Sequence, residues 1–509
     1  MKSKKAIIVG AGPGGLACAM ILAHRGFSVT VYEKEARVGG RNAVLKIGPY
    51  TFDTGPTFLM MKFIMDEMFE EAGKDSSNYL KVKEIEPLYH LDYGDMELFP
   101  SKDMEKNILE AKKFFPGSEK GVKEFYEKEK KRYELLFPCL QKDYSHFSAF
   151  FSKRFIKAIP ILGINESLFD NLNHYFKDLR QKMAFAFQSK YLGMSPWECP
   201  AGFTMIPYVE RRYGIFHVMG GLNAISEAMA RAAKEEGAKI KLKTPVKQII
   251  FEGRKAVGVL LESGKKDFAD EIIINADFGY AATNLFPKGF LKKYSPEKIA
   301  KKKYSCSTFM IYLGVDKKYS LPHHNIYFSK DYEGNVKDIF ETKKLSEEPS
   351  FYLQNPSAID ESLAPKNHSA IYVLVPVPNN TSKINWEKEK KAFRNKVLNL
   401  VAKRTKIKDI EKHIKAEHII TPLDWEKKYN VYYGATFNLA HNLSQMLYFR
   451  PRNKFEEAEN CWLVGGGTHP GSGLPTIYES ARITANLLCK KHGINFKEPS
   501  SLSEKRTGG

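Results

Sequence analysis

The chain has 509 residues, too many for one hydrophobic core, so two or more subdomains are expected. Its 43% hydrophobic and 27% charged residues exclude a disordered chain. The 79 Lys and Arg against 59 Asp and Glu give a net charge of +20, fitting an anionic membrane surface or a merely solvated lysine-rich exterior.

The lysines are spread along the chain with no nucleic-acid motif, so no nucleic acid is expected as a partner. Six cysteines, at 18, 139, 199, 306, 461 and 489, form no CxxC pair and no zinc-type spacing. They read as buried thiols in a reducing cytoplasm, without metal. The adjacent His323 and His324 read as a loop and not as a ligand set.

At the N-terminus three lysines precede 18 uncharged residues, Ala6 to Ala23, which imitates a signal peptide. Gly10, Gly12, Pro13, Gly14 and Gly15 interrupt that run, so no signal peptide is expected. No uninterrupted apolar segment of ~20 residues appears elsewhere, so no transmembrane helix is expected. Residues 6–9 suit a buried parallel strand, 16–25 a helix stopped by Gly26, and 28–33 a second strand.

Between those strands Gly10-Ala11-Gly12-Pro13-Gly14-Gly15 satisfies GxGxxG. Gly10 permits the tight turn, Gly12 lets backbone approach a pyrophosphate, and Gly15 lets the helix lie close to the strand. The helix start then offers free N–H groups to phosphate, and Glu33 can accept from ribose hydroxyls. Gly39-Gly40-Arg41 extends the motif beyond what NAD requires, which favours FAD.

Further along, 60–215 mixes lysine-rich helical stretches with Phe and Tyr. Gly220-Gly221 leads into a helix over 222–236, then strands over 239–243 and 246–261 and a buried strand over 271–275. Mixed strands and lysine-rich helices fill 301–425. Residues 461–464 form a last strand, followed by a glycine loop and a helix to about 488. Segment 146–164 combines Phe147, Phe150, Phe151, Phe155, Ile156 and Ile159 with Lys153, Arg154 and Lys157. That pattern predicts a basic amphipathic helix, lying either in a headgroup region or on the protein's own core.

These motifs, with FDTGPT at 52–57, YGIFHVMGGLNAISEAMA at 213–230, TPLDWEKKYN at 421–430 and VGGGTHPGSGLPTIYESARIT at 464–484, resemble the bacterial-type phytoene desaturases. That family includes the dehydrosqualene (diapophytoene) desaturases. The resemblance covers nearly the whole chain, and THPGxGxP is its most specific part. It implies an α/β, Rossmann-type FAD-binding fold of the flavin amine oxidase kind, with an inserted α+β substrate-binding and membrane-facing subdomain. The expected division is 1–70, 216–300 and 426–495 for the discontinuous FAD domain. Residues 71–215 and 301–425 would form the inserted subdomain, and 496–509 a disordered tail.

The resemblance further implies desaturation of a linear isoprenoid such as phytoene or diapophytoene, with peripheral attachment to the cytoplasmic face of a membrane. A quinone or oxygen would be the electron acceptor. Gly10, Gly12, Gly15, Glu33, Gly40, Arg41, Gly55, Val246, Gly466 and Pro475 would surround FAD, Val246 at the adenine and Gly466 and Pro475 near the isoalloxazine. A helix start near Thr476 would aim its positive end at the flavin and favour hydride acceptance. Glu210, Glu426 and His469 lie in or beside matched segments, but no spacing marks a general base, so the catalytic residue is left unnamed. Related polyene oxidases, carotene isomerases and saturases share most of these features. A non-catalytic prenyl-lipid escort protein would not need the intact glycines and Glu33.

Overall fold

The computed structural model describes residues 3–496, so all but residue 496 of the expected tail lies outside the described residues. A five-stranded parallel sheet takes strands from distant parts of the chain. Across the sheet the order is Lys239–Lys241, Ser28–Tyr32, Lys5–Val9, Glu271–Ile274 and Cys461–Leu463. Both faces are covered at the centre of the sheet, which is why residues 6–9 and 272–274 read as continuous apolar runs. Ala6, Ile8, Val29, Val31, Ile273 and Trp462 face helices, whereas Ile7, Val9, Ile272, Ile274, Cys461 and Leu463 face the antiparallel strands Val246–Glu252 and Lys255–Leu261.

The helix after the glycine turn, Pro13–His24, starts three residues earlier than the sequence pattern indicates. Proline suits a helix's first turn because its missing N–H has no helical partner there. Residues 14–23 are all buried, and the helix packs against Asn223–Glu235 and Leu474–His492.

A second, seven-stranded sheet is mostly antiparallel. Its order is Ile414–Ile420, Ser307–Val315, Ser369–Val377, Phe351–Gln354, His324–Tyr327, His90–Asp92 and Glu97–Leu98. Phe309, Ile311 and Leu313 point to the helix Trp386–Arg404 and join Trp386, Phe393 and Val397 in one core. The alternate residues face the other way, as period-two side-chain direction requires. The helices Glu119–Leu140, Leu179–Ala186 and Met205–Tyr213 lie in the chain between the strands Glu97–Leu98 and Lys239–Lys241.

Segment 146–164 is not the single helix its composition predicts. It breaks into Phe147–Phe151, Lys153–Ala158 and Ile159–Ile161. The Ser152 side chain accepts from the Phe155 N–H and so restarts the helix, and Pro160 interrupts it again. Phe155 and Ala158 are buried in a small core with Leu136 and Tyr144. Phe147, Phe151, Ile156, Ile159 and Ile164 are exposed, by 53%, 69%, 51%, 45% and 52%. Inward packing and outward exposure therefore coexist. All six cysteines are buried and unpaired by disulfides. Among the described residues no helix is long and apolar enough to cross a membrane.

Candidate functional site

Between the two sheets lies a cavity of about 940 Å³, with walls of contrasting chemistry. One wall is largely backbone. Gly10, with φ +100°, turns the chain at the end of the first strand, and its N–H donates to the Tyr32 carbonyl at 2.8 Å. A Cβ on Gly15 would lie 2.4 Å from the Gly10 carbonyl oxygen, so only glycine lets this helix sit so close to the strand. The Gly39 N–H donates to the Ala11 carbonyl at 2.8 Å, which brings the 39–41 segment onto the glycine turn.

Glu33, just past the second strand, is buried and accepts from the N–H groups of Ala11 (2.7 Å) and Glu35 (2.9 Å). Burial raises its pKa, and those two donors oppose the rise. Arg41 donates to the Thr436 carbonyl at 2.8 Å and lies 3.9 Å from Asp277.

Of the ten residues predicted around a cofactor, Gly10, Gly12, Glu33, Gly40, Arg41, Gly55, Val246, Gly466 and Pro475 line this cavity. Gly15 stands behind the lining, at the helix–strand contact. A second helix begins here too: Leu474, Pro475, Thr476 and Ile477 of Leu474–His492 reach the cavity, so two helix N-termini face it. Crowded glycines, two helix starts and an acid at the end of the second strand fit a flavin nucleotide.

The opposite wall is side chains. Strand register aligns Ile420, Met310, Leu374, Tyr352 and Ile326 in one row across five strands, and all five line the cavity. Tyr133, Phe137, Phe187, Tyr191, Phe203 and Ile206 add aromatic and aliphatic cover from the helical part.

None of the three side chains considered as bases lines the cavity. Glu210 is fully buried, accepting from Tyr89 (3.2 Å) and Gln188 (3.0 Å), and burial raises its pKa. Glu426 accepts from Asn380 at 2.5 Å. The His469 ring packs 4.9 Å from that of Tyr144, and burial takes its pKa down to about 3.

Several residues in or behind the wall escape sequence reading. Lys190 lines the cavity without a hydrogen-bond partner, over the Tyr332 ring at 5.0 Å, and burial lowers its pKa to about 8. Arg450 is fully buried and donates to the carbonyls of Thr468, Ala440, Gln445, Leu439 and Gly466 at 2.7–3.4 Å. Burial pulls its pKa to about 9, so at neutral pH it remains a cation holding the 466–468 loop through backbone. His441 accepts from the Ser472 N–H at 2.9 Å and fixes the same loop's far end.

Asn275 and Asp277 also line the cavity. They follow a buried parallel strand, and the carboxyl end of such a strand is where ligands gather, a signal the sequence does offer. Of the pair read as a loop, His323 does lie in a bend whereas His324 opens a strand, and both are buried. The reason is the company they find in the fold: the His323 ring contacts those of His324 and His217.

The flavin containing amine oxidoreductase family matches residues 13–489. The chain is 52% identical over 496 residues to a 4,4'-diapophytoene desaturase (4,4'-diapolycopene-forming) of Methylomonas sp., covering 97% of each. It is 36% identical to an all-trans-zeta-carotene desaturase of Myxococcus xanthus, covering 96% of this chain and 93% of that one. Among solved structures, an oxidoreductase from Methanosarcina mazei shares the fold with a TM-score of 0.64 at 16% identity, covering 94% of this chain and 99% of that one.

Proposed function

The chain belongs to the flavin-containing amine oxidoreductases and, within them, to the carotenoid desaturases, and from that premise we propose that it desaturates a linear isoprenoid such as 4,4'-diapophytoene or phytoene. It is a flavin-dependent oxidoreductase, and we read the flavin as FAD. The observation that carries the reading is the continuity of one cavity from the glycine wall to the apolar cross-strand row. A polyene precursor offers no polar handle, so its orientation must come from shape and from ~0.8 kcal/mol per buried methylene. The row Ile420–Ile326 and the aromatic cover supply such a surface.

In this reading Gly10, Gly12, Gly15, Glu33, Gly40, Arg41, Gly55, Val246, Gly466 and Pro475 form the FAD site. When bound, the flavin supplies the acceptor for a hydride from the substrate. The glycine turn brings backbone N–H groups to the diphosphate, Glu33 takes ribose hydroxyls, and Arg41 compensates phosphate charge. The helix start at residues 474–477 places its positive end where negative charge develops. Arg450 and His441 hold the loop before that start. The five-stranded sheet and its helices would be the cofactor part, and the seven-stranded sheet with the helical segments the substrate part.

Membrane docking belongs to the same reading. Phe147 and Phe151 form an exposed aromatic group with Tyr448, beside exposed Phe449, flanked by exposed Lys153 and Lys157. Met205 lines the cavity and also packs on the small core beneath this patch, so the patch adjoins the substrate part. A lipid-soluble substrate would enter there, at the cytoplasmic face, where six buried thiols accord with a reducing compartment. A quinone or oxygen would regenerate the flavin.

The test is incubation of the flavin-loaded protein and liposomes with diapophytoene or phytoene, with pigments resolved by chromatography. New conjugated products are expected. Retained precursor with bound flavin and no conversion overturns the reading.

A further inference from the structure

Tyr352 supplies the hydroxyl in an otherwise aliphatic row. Its oxygen hydrogen-bonds His324 Nδ1 and, at 3.0 Å, the Thr57 hydroxyl. Behind the wall the connection continues. His324 Nε2 lies 3.0 Å from His323 Nδ1, His323 Nε2 lies 3.1 Å from His217 Nδ1, and His217 Nε2 lies 2.9 Å from Asp360 Oδ2. All three histidines and Asp360 are at most 5% exposed.

Asp360 fixes the direction. Burial would raise its pKa, but hydrogen bonds from His217, Ser362 and Gly220 outweigh it and keep the carboxyl ionised, below the usual range. A carboxylate only accepts, so His217 donates from Nε2 to Asp360, and with one hydrogen on that ring its Nδ1 accepts. His323 and His324 must then hold the same tautomer, and Tyr352 donates to His324 Nδ1. Every link is filled by one hydrogen. Burial holds His323 and His324 neutral, far below the ordinary histidine value. At the end of the file Asp360 accepts from the exposed Ser362 hydroxyl at 2.6 Å, and Ser362 and Gly220 line a separate surface cleft.

Resting on the desaturase reading above, we propose that Tyr352, His324, His323, His217 and Asp360 form a reversible proton store for the two half-reactions. Desaturation removes two hydrogens from adjacent carbons. One leaves with its electron pair to the bound flavin. The other C–H bond gives its pair to the new C=C and its proton to the Tyr352 oxygen. Tyr352's own proton passes to His324 Nδ1, the Nε2 protons of His324 and His323 each move one ring on, and that of His217 joins the Asp360 carboxylate. Return of the electron pair to a quinone or to oxygen takes up one proton. The file run backwards delivers it and restores each starting tautomer, so no net proton is exchanged with solvent.

Two measurements test the store. First, nitrogen NMR of the ¹⁵N-histidine-labelled holoenzyme, assigned with His217→Gln, His323→Gln and His324→Gln, should find all three rings protonated on Nε2 alone. An Nδ1–H on any of them overturns the orientation, whatever the enzyme's activity. Second, wild type, Asp360→Asn and His323→Phe are mixed anaerobically with substrate while flavin bleaching and infrared difference spectra are followed. A protonated carboxyl band should appear with bleaching in wild type and be absent from Asp360→Asn. His323→Phe should bleach ~10²-fold more slowly with KM unchanged. Wild-type bleaching without the band, or His323→Phe bleaching within about threefold of wild type, overturns the store. A wild type that never bleaches overturns the desaturase reading itself, and the store with it.

Discussion

The two walls of the cavity are made by opposite means. The cofactor-side wall is backbone, held in place by glycines whose missing side chains leave room, as where Gly15 meets the Gly10 carbonyl. The facing wall is a row of side chains brought into line by strand register, from Ile420 to Ile326. A backbone wall tolerates almost no change at fixed positions, whereas a row of side chains asks only for apolar bulk in the right register. Polar residues on the second wall are therefore the informative ones, because nothing about hydrocarbon binding calls for them.

The contrast should be sharpest at Gly15. Gly15→Val places atoms against the Gly10 carbonyl, 2.4 Å from even the first added carbon, and neither strand nor helix can yield. Flavin affinity should fall at least ~10³-fold, about 4 kcal/mol, measured by the colour retained through gel filtration. Met310→Leu in the facing row should leave flavin binding unchanged, and equal losses in both variants would erase the distinction between the walls.

Arg450→Met comes next. It strips five backbone carbonyls of one buried cation and should cost ~3–5 kcal/mol, seen as a lower denaturation midpoint and faster flavin release. An unchanged midpoint would mean that the loop stands without it. The double change Phe147→Ser and Phe151→Ser should weaken binding to anionic liposomes by about 2 kcal/mol, ~30-fold, in a flotation assay. Folded stability should stay within ~0.5 kcal/mol, since both rings already face outward.

The smallest effect concerns Lys190. Its folded pKa, about 8, lies below the unfolded lysine value of ~10.4. Between those values the unfolded chain binds more protons, so wild-type stability should rise with pH across that window. Lys190→Met should abolish the rise and gain ~1 kcal/mol at neutral pH, by denaturant titration at several pH values. A parallel rise in the variant would locate the titrating group elsewhere.

How much of this the sequence discloses follows the same division. The glycine turn, Glu33 and the 39–41 segment are legible because local spacing determines local backbone, and the central parallel strands at 6–9 and 272–274 are legible because double burial leaves uninterrupted apolar runs. Arg450 has no local signature, since its partners are carbonyl groups that any sequence supplies. The histidine file is equally hidden: His217, His323 and Asp360 meet only once the sheet is assembled. Segment 146–164 misled for a different reason. Its composition suits an amphipathic helix, but the Ser152 cap and Pro160 divide it into turns too short to show that periodicity.

The order of strands in the five-stranded sheet has a consequence for how the molecule is made. Its central strand comes from residues 5–9 and one edge from residues 461–463, and the helix whose start completes the cavity follows that edge. Almost the whole chain must therefore be synthesised before the parallel sheet can close, a high-contact-order arrangement that folds slowly. Until then the apolar first strands lack their final neighbours and are open to association with other chains. A flavin bound once that helix start is in place would stabilise the closed fold by mass action, so flavin supply during synthesis bears on how much protein survives.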